Sequence, residues 1–210
     1  MLTLDPARDA LLAIDVQRDF CAGGALAVAD GDAVVAPIDA LTARFAHIVA
    51  TQDWHPADHA SFAANHRGAA PYSVIDMPYG PQTLWPVHCV QGTPGAEFHP
   101  GLAGGRACAV VRKGMRREID SYSAFFENDR ATPTGLGGYL RERGIGRVFV
   151  AGLATDFCVS FSALDARRLG FEVCVLIDAC RAIDLNGSLA KAREAWVQAG
   201  VATATTDRLG

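Results

Sequence analysis

Six short apolar runs, at positions 10–14, 47–51, 108–112, 147–151, 173–177 and 201–204, constrain the fold more than any other feature of the chain. Polar residues scarcely interrupt them, as expected of strands that a parallel sheet buries on both faces. Between the runs, residues at about 32–45, 134–143, 157–169 and 187–199 carry apolar positions at helical spacing. Strands alternating with helices predict an α/β fold: a doubly wound, mostly parallel sheet with helices on both faces. No repeat or linker divides the 210 residues, so one domain spanning 1–210 is expected.

One stretch breaks this rhythm. Residues 53–106 are rich in Pro, Gly and His and show no sustained period. The stretch is far longer than the few residues that usually join two elements, which marks it as functional. Of the six histidines, His55, His59, His66, His88 and His99 lie inside it and only His47 does not.

Charge narrows the partners. Nineteen Lys and Arg against 23 Asp and Glu give a net charge of −4, and the basic residues are scattered. There is no electrostatic footprint for nucleic acid or an anionic membrane, and a small, weakly charged molecule is the expected partner. The first residues lack the basic and apolar regions of a signal peptide, and no apolar run approaches the ~20 residues that span a bilayer. A cytoplasmic protein without membrane association is expected. The six cysteines show no CxxC pair and no regular spacing, which argues against a disulfide framework or a cysteine-rich zinc module.

Three reactive groups fall at strand ends. Asp15 closes the first run, Lys113 follows the third, and Cys158 lies in Gly152-Leu153-Ala154-Thr155-Asp156-Phe157-Cys158-Val159, just after the fourth. Open α/β sheets bind ligands at the carboxyl ends of their strands, so these three can meet in one crevice. A carboxylate to move a proton, an ammonium to hold negative charge and a thiol to attack form a coherent set. Cys158 is expected in the first turn of a helix with Thr155 and Asp156 as N-cap residues, where the helix end favours a thiolate. Taken singly, each has a plainer reading: a buried structural cysteine, a strand-end turn residue, a solvated lysine.

The long loop offers a second set. Asp53 and His55 are alternate residues beyond the second strand and can point to the same side of an extended chain, and His88 can close the group. Imidazole and carboxylate suit Zn, Fe, Mn or Ni; surface-loop histidines are the alternative.

Together, Ile14-Asp15-Val16-Gln17-Arg18-Asp19-Phe20, Thr51-Gln52-Asp53-Trp54-His55-Pro56, Trp85-Pro86-Val87-His88-Cys89, Arg112-Lys113-Gly114 and the segment 152–159 closely resemble the nicotinamidase/pyrazinamidase family of isochorismatase-like cysteine hydrolases. The resemblance spans essentially the whole chain in the right order. It implies the isochorismatase-like hydrolase fold, with Asp15, Lys113 and Cys158 as catalytic residues. It further implies an oxyanion hole from the amides of Ala154 and Cys158, with a cis peptide joining Leu153 to Ala154. Asp53, His55 and His88 would bind one divalent metal ion, zinc first with iron or manganese as alternatives, and the loop around 53–106 would be the metal-binding region. His59 is left open as ligand, supporting residue or neither. Phe20, Trp85 and Tyr122 would wall a pyridine ring. The implied reaction converts nicotinamide to nicotinate and ammonia, and pyrazinamide to pyrazinoate, through a cysteine thioester, in a monomer or homo-oligomer. The alternatives are another small-amide hydrolase, of the ureidoacrylate or N-carbamoylsarcosine type, and a non-catalytic metal or ligand-binding protein on the same fold.

Overall fold

A computed structural model describes residues 1–102 and 106–210. Residues 103–105, at the end of the long loop, lie outside the described residues. The strands are β1 (Asp9–Ile14), β2 (His47–Asp53), β3 (Val74–Met77), β4 (Gly80–Thr83), β5 (Ala109–Lys113), β6 (Arg147–Leu153), β7 (Glu172–Arg181) and β8 (Ala202–Ala204). The helices are α1 (Val35–Thr42), α2 (Leu136–Glu142), α3 (Ser160–Arg168) and α4 (Ser188–Ala199).

Six of these strands form one sheet in the order β5-β2-β1-β6-β7-β8. Every neighbouring pair in it runs parallel. Alternate residues of each strand feed opposite faces. Leu11, Ala13, Phe149 and Ala151 pack with Val35, Ile38 and Leu41 of α1. Ala10, Leu12, Val148 and Val150 pack on the other side with Leu136 and Leu140 of α2, Ala163 and Ala166 of α3, and Trp196 of α4. Both faces are therefore covered, and the doubly wound parallel architecture expected from the apolar runs is the one found.

The strand order places the site. From β1 the chain winds outward through β2 to β5, then returns to β6 on the other side of β1, so the winding reverses between β1 and β6. A crevice opens at such a reversal, above the carboxyl ends of the two strands. Asp15 follows β1 directly and Leu153-Ala154 leads out of β6. The strands approach closely there because residue 152 is glycine: its φ is +128°, and a Cβ would lie 2.1 Å from the Ile14 carbonyl oxygen.

Several elements differ from expectation. The strands β6 and β7 are longer than their apolar cores, because parallel pairing carries β7 on through Asp178 to Arg181, across a register shift opposite Val150 and Gly152. The helix expected at 32–45 is a 3₁₀ turn over Gly31–Val34 followed by α1. Inside the long loop, β3 and β4 pair as an antiparallel hairpin that its mixed composition did not announce. The helix expected from residue 157 begins at Ser160, preceded by one π turn over Thr155–Val159. Ala154, not Thr155 or Asp156, stands at the N-cap position of that turn, and no side chain caps it. No helix among the described residues is long and apolar enough to cross a membrane.

Candidate active site

Asp15 is completely buried, with a φ of +47° in the left-handed region that non-glycine residues rarely adopt. Thr51 of β2 holds it from both ends. The Asp15 N–H donates to Thr51 Oγ1 at 3.1 Å, and the Thr51 hydroxyl donates to Asp15 Oδ1 at 2.6 Å. That leaves Oδ2 facing Lys113 Nζ at 2.8 Å.

Lys113 is the last residue of β5 and its side chain is buried. Its ammonium donates to Asp53 Oδ1 in a very short contact, to the Ser121 carbonyl at 3.0 Å and to Cys158 Sγ at 3.4 Å. Carboxylate oxygens of Asp15 and Asp53 and the Cys158 sulfur all lie within 4.8 Å of one another. The three strand-end groups therefore do meet.

Cys158 sits in the π turn, where the Val159 N–H reaches back to the Ala154 carbonyl at 3.1 Å. Such wide turns recur at functional sites. The Leu153–Ala154 peptide is cis, as the resemblance implied.

The electrostatics assign the resting protonation state. Burial pushes the Cys158 thiol well above its ordinary range; Lys113 pulls it down, but Asp15 and Asp53 add to the rise. Burial likewise raises Asp15 to about 6, with Lys113 opposing and Asp53 assisting. Burial disfavours the Lys113 ammonium, yet Asp15, Asp53 and Cys158 more than compensate and keep it charged. Burial and the two carboxylates thus favour the thiol, against the pull of Lys113 and of the helix end. The desolvation that the sequence could not display outweighs the helix end.

The loop residues converge beside this network. Asp53 is the last residue of β2, pinned by Gln17: its N–H donates to Gln17 Oε1 at 2.8 Å, and Gln17 Nε2 donates to its carbonyl at 2.9 Å. Asp53 Oδ2 faces His55 Nε2 at 3.6 Å and His88 Nε2 at 3.9 Å. One ligand atom from each of the three residues fits within 4.8 Å. Both imidazoles carry their proton on Nδ1, donated to the carbonyls of Gly114 and Pro86 at 2.8 Å each. That leaves both Nε2 lone pairs turned towards the Asp53 carboxylate, the backing that ligating histidines use. Separations of 3.6 and 3.9 Å are within the span of one ion with bonds of about 2.0–2.2 Å. The donor set thus fits a divalent cation. Burial would raise Asp53, but Lys113 holds it well below the usual carboxylate range, and His55, whose own pKa Asp53 raises, adds to this whenever no ion occupies its Nε2 and it is protonated. Burial lowers His88 to about 4, helped by His55, so it stays neutral. Gly114 makes room, since a Cβ there would fall 2.3 Å from His55 Cε1.

His59 is placed differently. Its Nδ1 accepts from the Ser61 N–H at 3.2 Å and pairs with the Ser61 hydroxyl at 2.7 Å, which leaves the proton on Nε2, directed at the Ile119 carbonyl at 3.2 Å. Both ring nitrogens are thereby occupied, and its ring packs against His55 with centroids 4.4 Å apart. His55, His59 and Asp120 also offer one ligand atom each within 4.8 Å of one another.

A small cavity joins the two sets. Cys158 and Ala154 line it on one side, Asp53, His55 and His88 on another, and Phe20, Trp85 and Tyr122 contribute walls. The Tyr122 hydroxyl is held by Trp85 Nε1 and Gln82 Nε2 at 3.0 Å each, so the phenol braces Trp85. Leu26, Asp120, Phe157 and Ile183 also line the cavity and escaped the sequence reading. Phe157 was within reach as the neighbour of Cys158, whereas Leu26, Asp120 and Ile183 come from irregular segments with no periodic signal.

A doubly wound α/β sheet with a thiol, a carboxylate and an ammonium gathered at its switch point defines a class of protein in which a covalent hydrolytic site can be built. An isochorismatase domain model matches residues 9–208, and the chain belongs to that family. A nicotinamidase of Acinetobacter baylyi is 55% identical over 192 residues, covering 91% of this chain and 90% of that protein. A crystal structure of PnC1 from L. infantum in complex with nicotinate has a TM-score of 0.88 at 41% identity, covering 100% of this chain and 98% of that one. The pyrazinamidase of Pyrococcus horikoshii in complex with zinc has a TM-score of 0.77 at 36% identity, covering 94% and 99%.

Proposed function

We propose that this protein is a nicotinamidase, hydrolysing nicotinamide to nicotinate and ammonia and accepting pyrazinamide. The observation that carries the reading is the cavity itself. A thiol with its proton acceptor lines or backs one side, a cation-binding donor set stands on another, and aromatic walls lie between. The high identity to a nicotinamidase over nine-tenths of both chains supports it.

In the mechanism we assign, Asp15 takes the thiol proton as Cys158 Sγ attacks the amide carbon, and the Lys113 ammonium stabilises the sulfur while its charge develops. The amides of Ala154 and Cys158 hold the oxyanion in a site from which bulk water is largely excluded. Asp15 returns the proton to the departing nitrogen, ammonia leaves, and a thioester remains. Asp15 then draws a proton from a water that attacks the thioester, giving nicotinate and the free thiol. Asp53, His55 and His88 would hold one divalent ion, zinc first with iron or manganese as alternatives, which when bound supplies an electrophile for the pyridine nitrogen and so orients the ring. Phe20 and Trp85 confine the ring, with Tyr122 bracing Trp85. Residues 1–210 act as one catalytic domain, with the 53–106 loop contributing the histidines. The six unpaired cysteines support a reducing, cytoplasmic setting.

Ammonia release from nicotinamide, with pyrazinamide and an aliphatic amide alongside, tests the assignment. Turnover of the two ring amides and not of the aliphatic one is expected; turnover of none would overturn it.

A further inference from the structure

Asp156 stands two residues before the nucleophile, and neither the fold's helix capping nor the mechanism uses it. Its side chain is almost fully buried, and both oxygens are spent on one distant segment. Oδ1 accepts the Ile183 N–H at 3.0 Å, and Oδ2 accepts the Asp184 N–H at 2.8 Å together with the Ser188 hydroxyl. That segment leaves β7, makes a 3₁₀ turn over Leu185–Gly187 and enters α4 at Ser188. Asp184, Asn186 and Gly187 have φ values of 54°, 52° and 75°, left-handed conformations that suit these three residue types and turn the chain sharply before α4.

Ile183 has a particular place. It lines the cavity that contains Cys158, and it also lines an outer groove bordered by residues 26–29, Tyr72 and residues 184–186. Leu26 is shared between the two in the same way. The pair Leu26 and Ile183 therefore forms the partition between the groove and the reaction chamber.

We propose that Asp156 is a positioning residue that fixes Ile183 against Leu26, making this pair the entrance to the chamber and the element that limits the size of the ring admitted. The chemistry explains why a carboxylate stands here. Three donors converge on the two oxygens, and asparagine could offer only one acceptor while its NH2 group would face an N–H. Because Asp156 belongs to the same turn as Cys158, the entrance is registered to the nucleophile and not to the loop that carries Ile183. The identity of the substrate rests on the nicotinamidase reading; the entrance does not.

The test uses two alkylating reagents of one chemistry and different bulk, iodoacetamide and N-benzyl-iodoacetamide, with modification of Cys158 in the full-length protein followed by mass spectrometry. Asp156→Asn should raise the bulky-to-small rate ratio roughly tenfold, the scale of one lost hydrogen bond to a charged group, and Ile183→Ala, which keeps its backbone bond to Asp156 but removes the side chain from the partition, should raise it as well. Ser188→Ala, which removes one of three donors, should raise it by less. In turnover, the same variants should shift kcat/KM towards 5-methylnicotinamide relative to nicotinamide, mainly through KM. An unchanged rate ratio in Ile183→Ala would overturn the entrance. Equal slowing of both reagents in Asp156→Asn would show that Asp156 serves the Cys158 turn alone and would overturn its role. If Asp156→Asn does not fold, Ile183→Ala and Ser188→Ala decide the matter. Absence of nicotinamide turnover alongside the expected labelling pattern would remove the substrate and leave the entrance standing.

Discussion

At the scale of single residues, Asp15 sets the acid limb of activity. Its carboxyl is raised from 3.8 to about 6, chiefly by burial, so the proton acceptor is increasingly occupied as pH falls below about 6. The rate kcat/KM should therefore fall about tenfold per pH unit below that point. Asp15→Asn should remove the limb and reduce turnover by roughly 10²–10⁴-fold. A profile flat down to pH 5 in the parent enzyme would exclude Asp15 as the base. Cys158→Ala should abolish turnover and any trapped acyl-enzyme mass while leaving nicotinamide binding in place, measured by calorimetry. Which residues matter chemically was legible because each stands at the end of an apolar run or in a short motif: Asp15, Lys113, Asp53, Cys158. Their state of ionisation was not. The rise of the Cys158 thiol depends on complete desolvation and on two carboxylates that are remote from it in sequence.

At the scale of elements, the junction of β1 with β6 depends on residue 152 having no side chain. A Cβ there would meet the Ile14 backbone, which has nowhere to move, so Gly152→Ala should cost about 3 kcal/mol or more, read from urea unfolding. The same change at Gly138 of α2, where a Cβ would meet nothing within 4 Å, should stabilise the helix slightly and serves as the control. Five of the six sheet strands were legible within about two residues at each end; β7 outran its apolar core because its far end is held by neighbours and not by hydrophobicity. The β3–β4 hairpin was hidden because its strands are short and carry no strict alternation. The π turn was hidden too: its residues suit an ordinary helix start, and only the reach of Val159 to Ala154 widens it.

At the scale of the whole molecule, one ammonium closes a buried network to which β1, β2, β5 and the π turn before α3 each contribute. Lys113→Met would leave Asp15 and Asp53 without their shared counter-ion, a loss of roughly 3–5 kcal/mol for a broken buried pair. For a chain of this length that lowers Tm by roughly 6–20 °C, measurable by calorimetry. If Asp53, His55 and His88 hold an ion as proposed, chelation should weaken nicotinamide far more than benzamide, which lacks the ring nitrogen, and His88→Ala should reproduce that contrast. His59→Ala should retain the contrast between the two compounds, since both its nitrogens bond within the protein.

Asp53 turns one oxygen to Lys113 and the other to the two histidines. It is therefore a shared conductor between two sites that would otherwise be independent. Positive charge gathered at one oxygen reduces the hold of the other on the ammonium, leaving more of the lysine's field for the sulfur. By reciprocity, a thiol that has lost its proton draws the cation in more tightly. Loading the site should thus quicken alkylation of Cys158 by a reagent that never touches the ion, and the enzyme's affinity for its metal should rise with pH by the same factor.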